Sequence, residues 1–157
     1  MIEREAVRAI LLTPEQEVLL LRVQPPNGGN RFWITPGGGL EADETAETGL
    51  LRELWEEVGL TECVMGPLVW RRQHTFTWAG QRICQREQYY IVHVDRFAPQ
   101  MTDAYESQFM DRFQWWPVLE LVNIGEPLAP RSLAQIVMTY LVHGAPSAPL
   151  TLEVSVD

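Results

Sequence analysis

GGLEADETAETGLLRELWEEVGL, residues Gly38–Leu60, is the stretch on which the reading of this chain turns. Leu50, Leu51, Leu54 and Val58 recur at helical spacing. Gly59 follows, in the position where glycine commonly ends a helix. The spacing predicts an amphipathic helix over residues 45–58. Glu53, Glu56 and Glu57 stand at i, i+3 and i+4, so three carboxylates share one helix face. Like charges at that spacing cost a helix about 0.2–0.5 kcal/mol per pair. A solvated acidic face accounts for the triplet taken alone. A hard divalent cation accounts for it as well, because Mg²⁺ is held by a few carboxylates together with substrate phosphates. The context speaks for the cation. A short strand, Phe32–Ile34, and the glycine run Gly37–Gly39 precede the helix, and a backbone without side chains can approach a ligand closely.

Working outward, Ala6–Leu12 and Val18–Val23 are apolar runs that read as a hairpin around the polar turn Thr13–Glu17. The glycine run reads as loop. Further strands are expected near Met65–His74, Thr75–Trp78 and Ile83–Val94, with Ala79-Gly80 as a hairpin tip. Tyr90, Val92 and Val94 alternate with Tyr89, Ile91 and His93, as in a strand covered on both faces. Phe113–Trp116 reads as another strand, Pro117–Leu121 as a short helix and Arg131–Val142 as a C-terminal helix. Strands and helices interleave without a strict βαβ rhythm. The expected class is therefore α/β, a mixed sheet packed between helices. Residues 1–144 form one domain in this reading, and residues 145–157 form a loose C-terminal tail.

The chain has 157 residues and a net charge of -9, from 12 Lys+Arg against 21 Asp+Glu. That balance argues against a nucleic-acid polymer as partner, since phosphate-backbone binding needs a basic surface. A small phosphorylated substrate remains open, because a metal can bring the positive charge. No apolar run approaches the roughly 18 residues of a membrane span. Met1–Glu5 is too charged for a signal peptide. Cys63 and Cys84 read as reduced thiols, and the expected location is cytoplasmic. His74, His93 and His143 lack zinc-ligand spacing.

Gly38, Glu44, Arg52, Glu53, Leu54, Glu56, Glu57, Gly59 and Leu60 fill every required position of one known pattern. Chance agreement is on the order of 10⁻⁹ per starting position at ordinary residue frequencies. On these residues the chain resembles the Nudix hydrolases. The resemblance implies an α/β/α sandwich with a mixed β-sheet, the signature forming loop, helix and loop. It also implies water attack on phosphorus in a nucleoside diphosphate linked to another group, with Mg²⁺ or Mn²⁺. Glu53, Glu56 and Glu57 are then metal ligands, with the Gly37 carbonyl as a further one. Arg52 and Glu44 are orienting residues, and Gly38 is grouped with them. The alternative is a catalytically silent Nudix-like module that binds a nucleotide or a protein. Such modules usually lose part of the glutamate set, which this chain keeps.

Metal-bound carboxylates are poor bases, because the cation stabilises their charged form. A carboxylate from outside the helix would relieve that conflict. Glu106, in the polar stretch Met101–Asp111, and Glu87, at a strand start, are the candidates, with Glu106 slightly favoured; simple solvation is the plainer reading of each. Arg8 and Arg22 are candidates for phosphate contact, or for surface pairing. Trp33, Trp70, Phe76 and Trp78 are candidates for stacking on a base, or for core positions; Trp33 is the candidate substrate-binding residue among them. The expected partner is a small nucleotide: a nucleoside triphosphate, ADP-ribose, a dinucleoside polyphosphate or a nucleotide sugar. Homodimerisation is left open.

Overall fold

Side-chain alternation in β6 (Gln81–His93) organises the molecule. Tyr89 and Ile91 enter one apolar core, while Tyr90 and Val92 enter another on the opposite face, as the two-residue period of a strand requires. The computed structural model describes residues 1–102, 108–148 and 150–157. Around β6 lie β1 (Ile2–Leu12), β2 (Glu17–Val23), β3 (Phe32–Ile34), β4 (Gly37–Gly39), β5 (Leu68–Trp78), β7 (Met110–Pro117), β8 (Leu128–Ala129) and β9 (Leu152–Val156). The sheet order is β8-β3-β2-β1-β6-β5-β9, with β4 on β1 and β7 on β2. β1–β6, β3–β8 and β5–β9 run parallel and the other pairs antiparallel, so the sheet is mixed.

Among the described residues two α-helices cover the sheet, one on each face. α1 (Ala46–Val58) sets Leu50, Leu54 and Val58 against Val7, Ala9, Leu11 and Val92. α2 (Leu133–His143) sets Leu133, Ile136 and Val137 against Ile10, Leu12 and Ile91 on the other face. Each such side chain contributes roughly 1.5–3 kcal/mol by leaving water. This is the α/β/α sandwich expected from the sequence. Pro117 is followed by a 3-10 helix, Val118–Asn123, where a short helix was expected. The β5–β6 hairpin turns at Ala79 and Gly80, with φ of 50° and 76°, the left-handed pair that tight hairpins favour.

Three expectations need correction. The glycine run is a short strand, β4, paired with β1 in the register Ala6–Gly39, Val7–Gly38 and Arg8–Gly37. A Cβ on Gly37 would lie 2.1 Å from the Val7 carbonyl oxygen, so the absence of side chains allows the pairing. Met65–His74 and Thr75–Trp78 are one strand, β5, beginning at Leu68. The loose tail contains β9, which joins the sheet edge beside β5. Among the described residues no helix is long and apolar enough to cross a membrane. Cys63 and Cys84 are free thiols.

Candidate active site

Both ends of α1 are fastened. Thr45 caps the first turn, its side chain accepting from the Thr48 amide at 3.2 Å, while the Thr45 amide donates to Thr48 Oγ1 at 3.1 Å. Gly59 closes the last turn at φ 74°. With Leu50, Leu54 and Val58 in the core, the phase of the helix is set. Glu53 and Glu57 are then drawn inward, 7% and 1% exposed.

Arg52 gathers this acidic surface. Its Nε and Nη2 donate to the two Glu44 oxygens at 2.7 and 2.9 Å. Its Nη1 donates to Glu53 Oε1 at 3.1 Å and to Glu56 Oε2 at 3.0 Å. Its Nη2 also reaches the Gly39 carbonyl at 3.0 Å. One guanidinium thus offsets the repulsion inherent in the glutamate spacing. Arg52 and the Glu41 amide hold the Glu44 carboxyl down to about 2. Burial pushes the Glu53 carboxyl up, against the pull of Arg52 and Arg8.

A second chain of contacts leads away from α1. The Gly37 amide donates to Glu57 Oε1 at 2.7 Å. Arg8 Nη1 donates to the Gly37 and Thr35 carbonyls at 3.1 and 3.3 Å, and Arg8 Nε donates to Glu87 Oε2 at 3.1 Å. Glu87 also accepts from Arg72 at 2.9 Å and Gln85 at 3.1 Å. Burial pushes the Glu87 carboxyl up, but Arg8 and Arg72 outweigh it and hold the group below its ordinary range. Glu87 is 4% exposed. It is therefore an ionised anchor between two guanidiniums, not the solvated strand end expected of it, and a lowered pKa makes it a weak base.

These residues floor a cleft of about 620 Å³. Gly37, Gly38, Glu57, Arg8, Arg72 and Glu87 line one part, and Phe32, Phe76, Trp78 and Phe109 line another. Among the described residues, a smaller cavity of about 240 Å³ beside α2 is lined by no carboxylate and no arginine.

Three sequence-derived substrate candidates, Trp33, Arg22 and Trp70, lie off the cleft. Strand alternation sends Phe32 and Ile34 into the cleft wall and Trp33 the other way. Trp33 is 2% exposed in the α2-side core, its Nε1 donating to Glu126 at 3.0 Å. Arg22 pairs with Asp111 at 2.9 Å and Glu126 at 3.5 Å, beside the Trp33 ring. Trp70 also faces α2 and donates to Glu153 at 2.6 Å. Phe76 and Trp78 do reach the cleft. Glu106 lies outside the described residues. Arg72, Gln85, Tyr89, Phe32 and Phe109 were missed in the sequence. Their alternation was legible, but nothing local marks which face opens on a cleft.

The donor set suits a hard divalent cation: carboxylates on one helix face beside backbone carbonyls. A Cβ on Gly38 would stand 2.6 Å from the Glu53 carboxylate, so this glycine keeps open the space in front of it. Among the described residues no three His, Cys, Asp or Glu side chains close around a common point; the glutamates are engaged with Arg52 and the Gly37 amide instead.

The family model for the NUDIX domain matches residues 3–137. The chain belongs to the Nudix hydrolase family, and is an enzyme of the class that hydrolyses pyrophosphate linkages. It is 29% identical over 136 residues to an RNA pyrophosphohydrolase of Alkalilimnicola ehrlichii, covering 77% of this chain and 75% of that protein. It is 40% identical over 55 residues to a MutT-like protein of Streptomyces ambofaciens, a match spanning 35% of this chain and 33% of that one. The NUDIX domain of Shewanella oneidensis NrtR, solved with ADP ribose, superposes with a TM-score of 0.66 at 21% identity, covering 90% of each chain.

Proposed function

We propose that this enzyme hydrolyses the pyrophosphate linkage of a small nucleoside diphosphate derivative, with Mg²⁺ or Mn²⁺ held by Glu53, Glu56, Glu57 and the Gly37 carbonyl. The observation that carries this reading is the run of one cleft from Glu57, Arg8 and Arg72 to aromatic rings. Rings suit a base and guanidiniums suit phosphate oxygens. When bound, the cation would offset phosphate charge, orient a water and lower its pKa.

The residues of the chain do the rest. Arg8 and Arg72 bind phosphate oxygens and are kept aimed by Glu87. Arg52 and Glu44 orient the ligand glutamates, a support typically worth 10- to 100-fold in metal affinity or activity. A carboxylate oxygen of Glu106 takes the proton of the attacking water, since Glu87 is committed to its arginines and the helix glutamates to the metal.

A hydrolysis screen with Mg²⁺ and Mn²⁺ tests the reading. It covers nucleoside triphosphates, ADP-ribose, dinucleoside polyphosphates, nucleotide sugars and a 5′-triphosphorylated RNA oligomer. Turnover of a small nucleotide supports the proposal. Preference for the RNA end, as the name of the Alkalilimnicola relative suggests, would overturn the small-molecule substrate. Full activity after EDTA would overturn the metal.

A further inference from the structure

The β5 face that presents Arg72 continues, two residues at a time, through His74, Phe76 and Trp78. The His74 ring stacks on Phe76 with centroids 4.7 Å apart, and Trp78 meets Phe109 edge-on at 5.4 Å. β9 runs beside this strand in a parallel register from Arg71–Leu152 to Thr75–Val156. That register delivers Asp157 to the cleft wall. Asp157 Oδ2 lies 2.6 Å from His74 Nε2, and Arg82 donates to the Asp157 main-chain carbonyl at 2.7 Å. β9 lies beyond residues 3–137, the stretch that matches the family. A part of this chain outside the shared pattern therefore helps build the cleft.

We propose that the His74–Asp157 pair reads the polar edge of a nucleobase stacked among Phe76, Trp78 and Phe109, and favours adenine and cytosine, which carry an exocyclic amino group where guanine and uracil carry a carbonyl. The inference rests on the nucleotide reading of the cleft. Aromatic faces hold every base, because every base has a π-face. Discrimination needs polar groups at the base edge. An ionised carboxylate only accepts hydrogen bonds, so it pairs with an amino group and repels a carbonyl at the same position. The Asp157 side chain is 65% exposed, so it is accessible to a ligand, while the contact from His74 and the pairing of β9 fix its direction. His74 is the positioning residue and Asp157 the reader.

The test is a tryptophan-fluorescence titration with CMP, AMP, GMP and UMP in the absence of divalent cations. The wild type should bind CMP and AMP about tenfold more tightly than GMP and UMP, which carry a carbonyl where the other two carry the amino group, the discrimination that one charge-assisted hydrogen bond supplies. Asp157→Asn removes the charge, and His74→Phe keeps a ring beside Phe76 while losing the contact to Asp157. Each should compress that ratio to about twofold. The kcat/KM ratios of the matching triphosphates should move in parallel. Equal binding of all four nucleotides by the wild type, or an unaltered ratio in Asp157→Asn, overturns the proposal while nucleotide hydrolysis stands. If the wild type neither binds nor hydrolyses any nucleotide, the nucleotide reading falls and this inference falls with it.

Discussion

Arg52 and Glu87 perform opposite tasks with the same chemistry. Arg52 is one cation among three carboxylates at 2.7–3.1 Å, and Glu87 is one carboxylate between cations at 3.1 and 2.9 Å. In the first arrangement one guanidinium offsets the mutual repulsion of the acidic cluster. Glu53→Gln and Glu57→Gln should each lower turnover by at least about 100-fold with the fold intact, since metal ligation supplies several kcal/mol of transition-state stabilisation. Steady-state kinetics with circular dichroism checks this. The second arrangement has a pH signature. Arg8 and Arg72 set the folded pKa of Glu87 below its unfolded value. Its contribution to stability is thus present above the unfolded pKa and is lost as pH falls through the folded one. Stability should decline below the ordinary carboxylate range. Glu87→Gln should flatten that decline and cost about 3–5 kcal/mol at neutral pH, because two buried guanidiniums lose their counter-charge. Urea denaturation across a pH series measures both effects, and an unaltered acid limb would count against the role assigned to Glu87.

At the scale of elements, α1 and β4 act together: the helix brings the carboxylates and the strand yields the space. The helix depends on its ends, where Thr45 and Thr48 exchange capping contacts and Gly59 takes the left-handed turn. Thr45→Ala should cost about 1 kcal/mol, a fall in melting temperature of about 2–4 °C for a domain of this size. Thermal unfolding followed by circular dichroism reads it. The helix itself was legible, because capping, apolar spacing and the glycine stop are all local. β4 was not legible. Three glycines carry no pattern that separates loop from strand, and only the close approach of β1, with Val7 and Arg8 against Gly37, turns them into a paired strand. Trp33 and Phe32 make the same point. Adjacent aromatics in a strand must face opposite ways, but their spacing does not say which faces the core.

For the whole molecule, a net charge of -9 on 157 residues sharpens the expected response to a divalent cation. Under the proposed ligation the α1 glutamates gain a counter-charge, and any ligand that binds only the folded state stabilises it by mass action. Mg²⁺ at 100 times its dissociation constant should add about 2.7 kcal/mol, or roughly 5–11 °C in melting temperature. Glu53→Gln should abolish most of that shift, and differential scanning fluorimetry measures it. Residues 38–60 alone determined the class of protein, the phase of α1 and the three glutamates that share one helix face. Capping, periodicity and charge spacing act within a few residues and need no fold to be read. Tertiary structure alone decided that Glu87 is caged, that Trp33 is core and that β9 delivers Asp157 to the cleft. Those outcomes depend on strand register between residues far apart in the chain, 79 positions for Arg8 with Glu87 and 83 for His74 with Asp157. Register is set by how the two faces of the sheet share burial across the whole molecule.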